Sequence, residues 1–358
     1  MTTEKIIGFR RRAAILAVVF AVLVFTVLVF AGPAAAQFEF DTRDVTKSGT
    51  TAAEFLRIPV GARATAMGGA LTAMADDGTS IYWNPAGLAN ASGAFRVEYA
   101  DWLAEINFGF ISVVLPTSFG TIGVGVTSMT TQEMDVTTVD AQDGTGQKFD
   151  AASYAISLSY GRALTDRFSL GATVKVITER IWNSSATGFA FDIGTLFVTP
   201  FAGIRLGAAI LNFGTKMQIS GDDLLIRVDI DPNSRGNNNS NRAHLSTDEF
   251  DLPLTMRVGL AGEVFQSDRT RLTLSVEALN PNNSKQYVNM GAELGFLNDL
   301  VMIRAGYAEL FLDNNLRSVT MGAGLKYRFQ ALTFIFDYSY EVQKYFADVN
   351  RFALSIHF

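Results

Sequence analysis

The sequence contains no cysteine and only two histidines in 358 residues. The absence of cysteine excludes disulfide bonds, thiolate metal sites and cysteine nucleophiles. Hydrolytic enzymes usually need a histidine base beside a nucleophile or a carboxylate, and neither His244 nor His357 lies in such a motif. We therefore expect a protein that is not an enzyme and has no metal site and no cofactor.

Charged side chains are scarce as well. They make up 18% of the sequence, against roughly a quarter in soluble domains. The net charge is −6, so the chain lacks the basic surface that nucleic-acid binding requires. Apolar residues make up 48%, which argues against a disordered chain. We expect a folded protein that has no nucleic-acid partner.

Long apolar runs are confined to residues 1–36. Basic residues precede the apolar run 13–30, and three alanines stand before Gln37, an order typical of a secretory signal peptide. The run is also long enough for an uncleaved anchor, but the small residues before Gln37 favour cleavage. We interpret 1–36 as a cleaved signal peptide that directs export across the inner membrane. No run after it is long enough for a transmembrane helix, so residence in a membrane would require strands.

From residue 94 to the end, large apolar side chains alternate with small or polar ones. Tyr154, Ile156 and Leu158, for example, alternate with Ala155 and Ser157. This two-residue period predicts β-strands with one apolar face. The predicted strands are 94–103, 106–115, 120–130, 152–162, 168–181, 188–198, 203–212, 254–265, 270–279, 287–296, 300–308, 317–329, 331–341 and 351–358. Short turns largely alternate with longer loops, as in an outer-membrane barrel whose turns lie on the periplasmic side.

These strands predict an all-β membrane protein, a 14-stranded antiparallel transmembrane β-barrel. A soluble sandwich or propeller shows the same alternation, but its polar face would carry many charges. Here that face consists mainly of Gly, Ala, Ser and Thr with isolated charges. Because Arg or Lys on a lipid-facing wall costs about 2–4 kcal/mol, we assign these charges to the lumen. The predicted lumen-lining residues are Lys175, Asp192, Arg205, Arg257, Glu263, Glu293, Arg304 and Asp337.

The last predicted strand ends on an aromatic residue. Its apolar positions recur every second residue, at Phe352, Leu354, Ile356 and Phe358. This pattern resembles the terminal signal that the barrel-assembly machinery of outer membranes recognises. We therefore expect localisation in the bacterial outer membrane, with membrane lipid and that machinery as partners.

A segment of a different kind precedes the predicted barrel. Residues 37–93 show no strand period and are rich in glycine. They include FLRIPVGARATAMGGA, then ADD and WNPAG. This combination resembles the N-terminal signature of the PorV/PorQ family of FadL-like outer-membrane β-barrel proteins. The predicted strand count also fits that superfamily, although the motifs themselves lie only in 55–90.

The resemblance implies that residues 37–93 fold inside the barrel as a hatch, or plug, and that residues 94–358 form the barrel. Trp83, Arg63 and Asn84 are expected to be buried, with their polar groups bonded to barrel residues. The candidate hatch and gating residues are Gly61, Arg63, Met67, Gly68, Gly69, Asp76, Asp77, Trp83, Asn84, Pro85, Ala86 and Gly87.

Two functions are open at this point. The FadL-like resemblance implies passive uptake of small hydrophobic molecules through a plugged barrel. The alternative is a PorV-type accessory or shuttle protein of type IX secretion, which would bind a partner protein at the outer membrane. The GARATAMGGA form departs from the pattern expected of dedicated secretion members, and this difference favours transport.

Overall fold

The computed structural model describes residues 47, 49–231, 233, 240–312 and 315–358. The predicted signal peptide and residues 37–46 of the predicted hatch lie outside these residues. In the described chain, fourteen long strands form one antiparallel sheet whose first strand pairs with its last, which confirms the predicted barrel. The strands are β1 (Ala94–Asp101), β2 (Asn107–Thr117), β3 (Gly120–Thr130), β4 (Ala151–Thr165), β5 (Phe168–Ile181), β6 (Ser184–Val198), β7 (Arg205–Gly214), β8 (Thr255–Gln266), β9 (Thr270–Pro281), β10 (Tyr287–Phe296), β11 (Val301–Leu310), β12 (Arg317–Phe329), β13 (Leu332–Gln343) and β14 (Val349–His357).

The barrel strands bury one set of alternate side chains and expose the other. In β4, Ala155 and Ser157 are buried, whereas Tyr154, Ile156 and Leu158 are 42%, 55% and 57% exposed. Small side chains thus face the interior and large apolar ones face outwards. This is the reverse of a soluble protein and the arrangement of a membrane barrel.

Strand boundaries differ from the predictions where the alternation is weak. β1 ends at Asp101 rather than at 103, because a 3-10 turn over Leu103–Glu105 leads into β2. β6 begins at Ser184 rather than at 188, and its first residues pair with β5 although they are small and carry no apolar period. A connection predicted to span 182–187 is therefore a two-residue turn.

The two ends of the barrel carry different connections. At one end, which we call the short-turn end, tight turns join β2 to β3, β4 to β5 and the later even-numbered strands to their successors. The opposite, long-loop end carries two loops that contain hairpins. Met134–Asp135 pairs with Lys148–Phe149, and Leu225–Val228 pairs with Asn241–His244 within the predicted loop 213–253. The strands of these hairpins are only two to four residues long, which is too short for a two-residue period to be recognised in the sequence.

Residues 49–93, which we call the N-terminal segment, contain short helices and turns. The helices are Ala62–Ala66 and Ser80–Trp83, and the 3-10 helices are Glu54–Arg57 and Pro85–Asn90. Among the described residues, no helix is long and apolar enough to cross a membrane.

The N-terminal segment begins at the long-loop end and finishes at the short-turn end. Thr51 forms a β-bridge with Asp251 in the loop before β8. At the other end, the carbonyl of Gly93 accepts a hydrogen bond from the backbone N–H of Phe358, the residue after β14, at 3.0 Å. The chain therefore runs the length of the barrel before it enters β1.

Candidate functional site

Glycines on the barrel strands mark where the N-terminal segment meets the wall. A Cβ atom at Gly171 of β5 would lie 2.2 Å from the carbonyl carbon of Pro85. One at Gly207 of β7 would lie 2.3 Å from the carbonyl oxygen of Thr72, and one at Gly306 of β11 would lie 2.2 Å from a backbone nitrogen of the segment. Such distances exclude any side chain, so the backbone of the segment packs directly on widely separated strands.

Gly68 is one position where glycine itself is required in the N-terminal segment. Its φ of 68° lies in the left-handed region, and an added Cβ would come within 2.7 Å of the backbone oxygens of Met290 and Tyr307. Its N–H donates to the hydroxyl of Thr320 at 2.9 Å. The preceding residue, Met67, is fully buried. The GG pair of the motif therefore makes a turn that fits closely against β10 and β11.

Asn84 connects the WNPAG motif to the barrel. Its Oδ1 atom accepts a hydrogen bond from the N–H of Ala86 at 3.1 Å and caps the 3-10 helix that begins at Pro85. Its Nδ2 atom donates to the carbonyl of Thr72 at 2.8 Å and to the carbonyl of Thr195 in β6 at 3.0 Å. One buried amide thus joins two parts of the segment to the wall.

Trp83 lies beside a buried arginine. Its indole N–H donates to the carbonyl of Val60 at 2.7 Å, and the guanidinium carbon of Arg257 lies 4.6 Å from the centre of its ring. Tyr82 also lies beneath this guanidinium, at 5.6 Å. Arg257 pairs with Glu277 of β9 at 3.7 Å. The cation and the aromatic faces attract each other strongly because the site excludes water.

Arg63 and Glu293 form the centre of a buried ion network. The Nε atom of Arg63 lies 3.0 Å from Glu293, and its Nη1 atom lies 2.6 Å from Asp76. Glu293 is fully buried and also pairs with Arg271 and Arg304, at 2.7 Å each. Three arginines around one carboxylate compensate its loss of solvation.

The network continues to the first strand. Arg304 lies 2.7 Å from Asp337, which lies 3.7 Å from Arg96 of β1. Arg96 also faces Asp77 of the N-terminal segment at 3.6 Å and Glu98 at 3.5 Å. The ADD motif is thereby held by arginines from both the segment and the barrel.

Asp77 belongs to the N-terminal segment rather than to a strand. Burial raises the pKa of its carboxyl group, but Arg96 and Arg63 lower it, as do hydrogen bonds from Thr79. The net effect is a pKa below the ordinary value. The N–H and hydroxyl of Thr79 lie 2.7 Å and 2.6 Å from the carboxylate. The carboxyl group of Asp77 therefore stays ionised beside Arg96 and Arg63.

A separate polar cluster lies on the β5 to β7 side. The Nζ atom of Lys175 lies 2.7 Å from Asp192 and 2.7 Å from the side-chain oxygen of Asn212. Asn212 has a φ of 62° and sits where the β6–β7 register shifts, and its N–H donates to Asp192 at 2.7 Å. The cluster stabilises a bulge in the wall.

The candidate hatch residues differ in their burial. Arg63 and Asp77 are half-buried and Asp76 is exposed. The others, Gly61, Met67, Gly68, Gly69, Trp83, Asn84, Pro85, Ala86 and Gly87, are buried. Their roles in gating stay a prediction.

The predicted lumen charges lie on the inward-facing side of their strands. Arg205 and Glu263 are the more exposed members and lie 3.8 Å apart near the short-turn end. The others, Lys175, Asp192, Arg257, Glu293, Arg304 and Asp337, are buried. Of the predicted assembly signal, Phe352 and Phe358 are 57% and 62% exposed.

Sequence reasoning missed three buried charges at the junction of β1 and β14. They are Arg96, Glu98 and Arg351, which are 2%, 3% and 0% exposed. The alternation itself contained the signal, because Arg96 and Glu98 share the register of the buried Ala94 and Ala100.

No family model and no curated protein matches this sequence. Solved structures do match. The Pseudomonas putida toluene transporter TodX has a TM-score of 0.54 at 13% identity, over 83% of this chain and 96% of TodX. The CymD monoaromatic hydrocarbon channel also has a TM-score of 0.54 at 13% identity, over 84% of this chain and 96% of CymD. A Pseudomonas aeruginosa FadL homologue has a TM-score of 0.51 at 15% identity, over 83% and 97%.

The chain has a FadL-like fold. At these identities the similarity shows the fold alone, and the narrower resemblance to the PorV/PorQ family stays a prediction from the sequence motif. The FadL-like barrel is similar to structures of transporters and channels.

Proposed function

We propose that this FadL-like barrel lies in the bacterial outer membrane and admits small hydrophobic molecules, with the N-terminal segment as its plug. The apolar exterior supports residence in a bilayer. TodX is a toluene transporter and CymD is a monoaromatic hydrocarbon channel, and both share the fold.

The observation that carries the proposal is the direct packing of the N-terminal segment against the barrel wall. Backbone atoms of the segment replace side chains at wall glycines such as Gly171, Gly207 and Gly306. An open pore for hydrophilic solutes needs a wide water-filled lumen, and this packing argues against such a pore. A plugged barrel is suited to poorly soluble molecules that bind to the protein before they cross the barrel.

An apolar region near the long-loop end supports hydrophobic ligands in particular. Phe55 and Leu56 of the N-terminal segment are buried in one cluster with Phe108 and Phe110 of β2. Beyond the strands, Phe311 is 64% exposed. The exposed side chain of Phe311 is an apolar contact for a hydrophobic molecule that arrives from the long-loop side.

Uptake by cells tests this function. We would express the protein in a host that lacks FadL-type barrels and follow accumulation of labelled toluene and of a labelled long-chain fatty acid. We expect faster accumulation of at least one of them than with empty vector, and no change for a labelled hydrophilic disaccharide. Equal rates with and without the protein would refute transport.

Native mass spectrometry of the protein from outer membranes separates transport from the secretion role. A co-purifying hydrophobic molecule that is lost from Asn84→Ala protein supports hatch-gated transport. A stoichiometric partner protein, with no hydrophobic molecule bound, would instead favour the PorV-type accessory function in type IX secretion.

A further inference from the structure

The pairing of β1 with β14 is the step that turns the sheet into a barrel. Ala94 is opposite His357 at one end of this seam, and Asp101 is opposite Asn350 at the other. Because these partners come from the two ends of the barrel sequence, their contact closes the longest loop of the fold and carries a large entropic cost. Additional contacts are therefore needed to hold β1 and β14 together.

Glu98 lies buried in this seam and binds three groups from different parts of the chain. Its carboxylate accepts hydrogen bonds from the N–H groups of Gly61 and Ala62 at 2.7 Å and 3.1 Å. It accepts a third from Arg351 of β14 at 3.0 Å. Two donors thus come from the N-terminal segment and one from the strand across the seam.

Neither set of donors is dispensable, because the carboxylate has no access to water. The side chains of Glu98 and Arg351 are both 0% exposed. A buried carboxylate that loses a charged partner or its N–H donors keeps the full cost of desolvation. Arg96 of β1 also lies 3.5 Å from this carboxylate. The docked segment and the closed seam therefore supply three of the four groups around the charge of Glu98.

The end of the N-terminal segment makes a second connection to β14. The hydroxyl of Ser92 lies 2.8 Å from Nδ1 of His357, and the carbonyl of Gly93 accepts the N–H of Phe358. A Cβ atom at Gly93 would lie 2.9 Å from the Phe358 ring. The end of β14 and the residue after it therefore contact the segment as well as β1.

The path of the segment adds a topological reason for coupling. The segment runs from the long-loop end to the short-turn end, and wall glycines contact its backbone directly. After the wall has closed, the segment could enter only if the strands moved apart at the positions of these tight contacts. Insertion before or during closure avoids that barrier.

We propose that the N-terminal segment has a further function as the internal template on which the barrel closes, and that Glu98 provides one of several contacts that link its docking to the β1–β14 seam. This role is independent of what the barrel transports. It makes docking and closure one cooperative event.

The first test is the variant Glu98→Gln in the purified full-length protein in detergent. We expect trypsin to cleave the N-terminal segment at least about tenfold faster, from the loss of hydrogen bonds to a charged group. Loss of the folded electrophoretic mobility should occur at a lower temperature, with the same midpoint as the loss of protection. Separate midpoints, or wild-type protection, would overturn the proposal.

The second test closes the seam covalently in the same variant. Val97 and Leu354 are directly opposite on the outer face of β1 and β14, and the chain has no native cysteine, so Val97→Cys with Leu354→Cys gives a single disulfide. If docking depends on closure, oxidation restores protection of the segment in Glu98→Gln protein, and reduction removes it again. No restoration would overturn the proposal.

A matched disulfide elsewhere controls for general stabilisation. Val124 and Leu158 form the same residue pair, directly opposite on the outer face of β3 and β4. The pair Val124→Cys with Leu158→Cys should leave the segment of Glu98→Gln protein sensitive to trypsin. Equal protection by both disulfides would show a global effect and would also overturn the proposal.

Discussion

Removing the charge of Glu293 should destabilise the barrel because three arginines surround that carboxylate. In Glu293→Gln, Arg63, Arg271 and Arg304 each lose a partner at 2.7–3.0 Å. Breaking a buried ion pair costs about 3–5 kcal/mol. Each arginine keeps a second carboxylate partner, and Arg63 and Arg271 are partly exposed. We therefore expect Glu293→Gln to lower the unfolding free energy by about 3 kcal/mol, the low end of that range.

The measurement is reversible urea unfolding in detergent, followed by tryptophan fluorescence and by electrophoretic mobility. Glu263→Gln is the matched control, because Glu263 has a side chain that is 36% exposed and lies 3.8 Å from its arginine. This pair should contribute less than about 1 kcal/mol. If the two variants lose equal stability, or if Glu293→Gln loses none, the network does not act as a buried unit.

Three further substitutions probe the contacts of the wall with the N-terminal segment. Gly171→Ala forces a Cβ atom against Pro85 and should lower the unfolding free energy in urea by about 1–3 kcal/mol. Gly262→Ala is the control, because its Cβ atom would lie 3.5 Å from the nearest neighbour, and it should lower the unfolding free energy by less than about 1 kcal/mol. Asn84→Ala removes three hydrogen bonds and should cost about 2–3 kcal/mol, with faster trypsin cleavage of the segment. Lys175→Met leaves Asp192 buried without its cation and should lower the unfolding free energy by about 3–5 kcal/mol; an unchanged urea midpoint would contradict that pairing.

The barrel was predictable because its physical signal repeats. A lipid-facing wall favours large apolar residues at alternate positions, and the sequence shows this pattern at Tyr154, Ile156 and Leu158. The same alternation fails at Ser184, where strand residues are small on both faces. There the pairing is set by the neighbouring strand β5 rather than by hydrophobicity.

The partners within the interior were not predictable in the same way. Arg63 and Glu293 are 230 residues apart, and neither position in the sequence indicates the other. Alternation places Glu293 on the inward face, but only the closed barrel and the path of the N-terminal segment decide which cation it meets. The contacts of Glu98 are not predictable for the same reason, because its donors at Gly61 and Ala62 lie in a segment with no strand period.

The path of the N-terminal segment also determines at which mouth of the barrel Thr51 lies relative to the last strand. In a barrel with an even number of strands, the start of the first strand and the end of the last lie at the same mouth, as Ala94 and His357 do here. The segment returns through the barrel to Thr51 at the opposite mouth. In a membrane, an epitope inserted next to Thr51 would therefore be read by an antibody on the side of the long loops, while one attached after Phe358 would be read only from the other side.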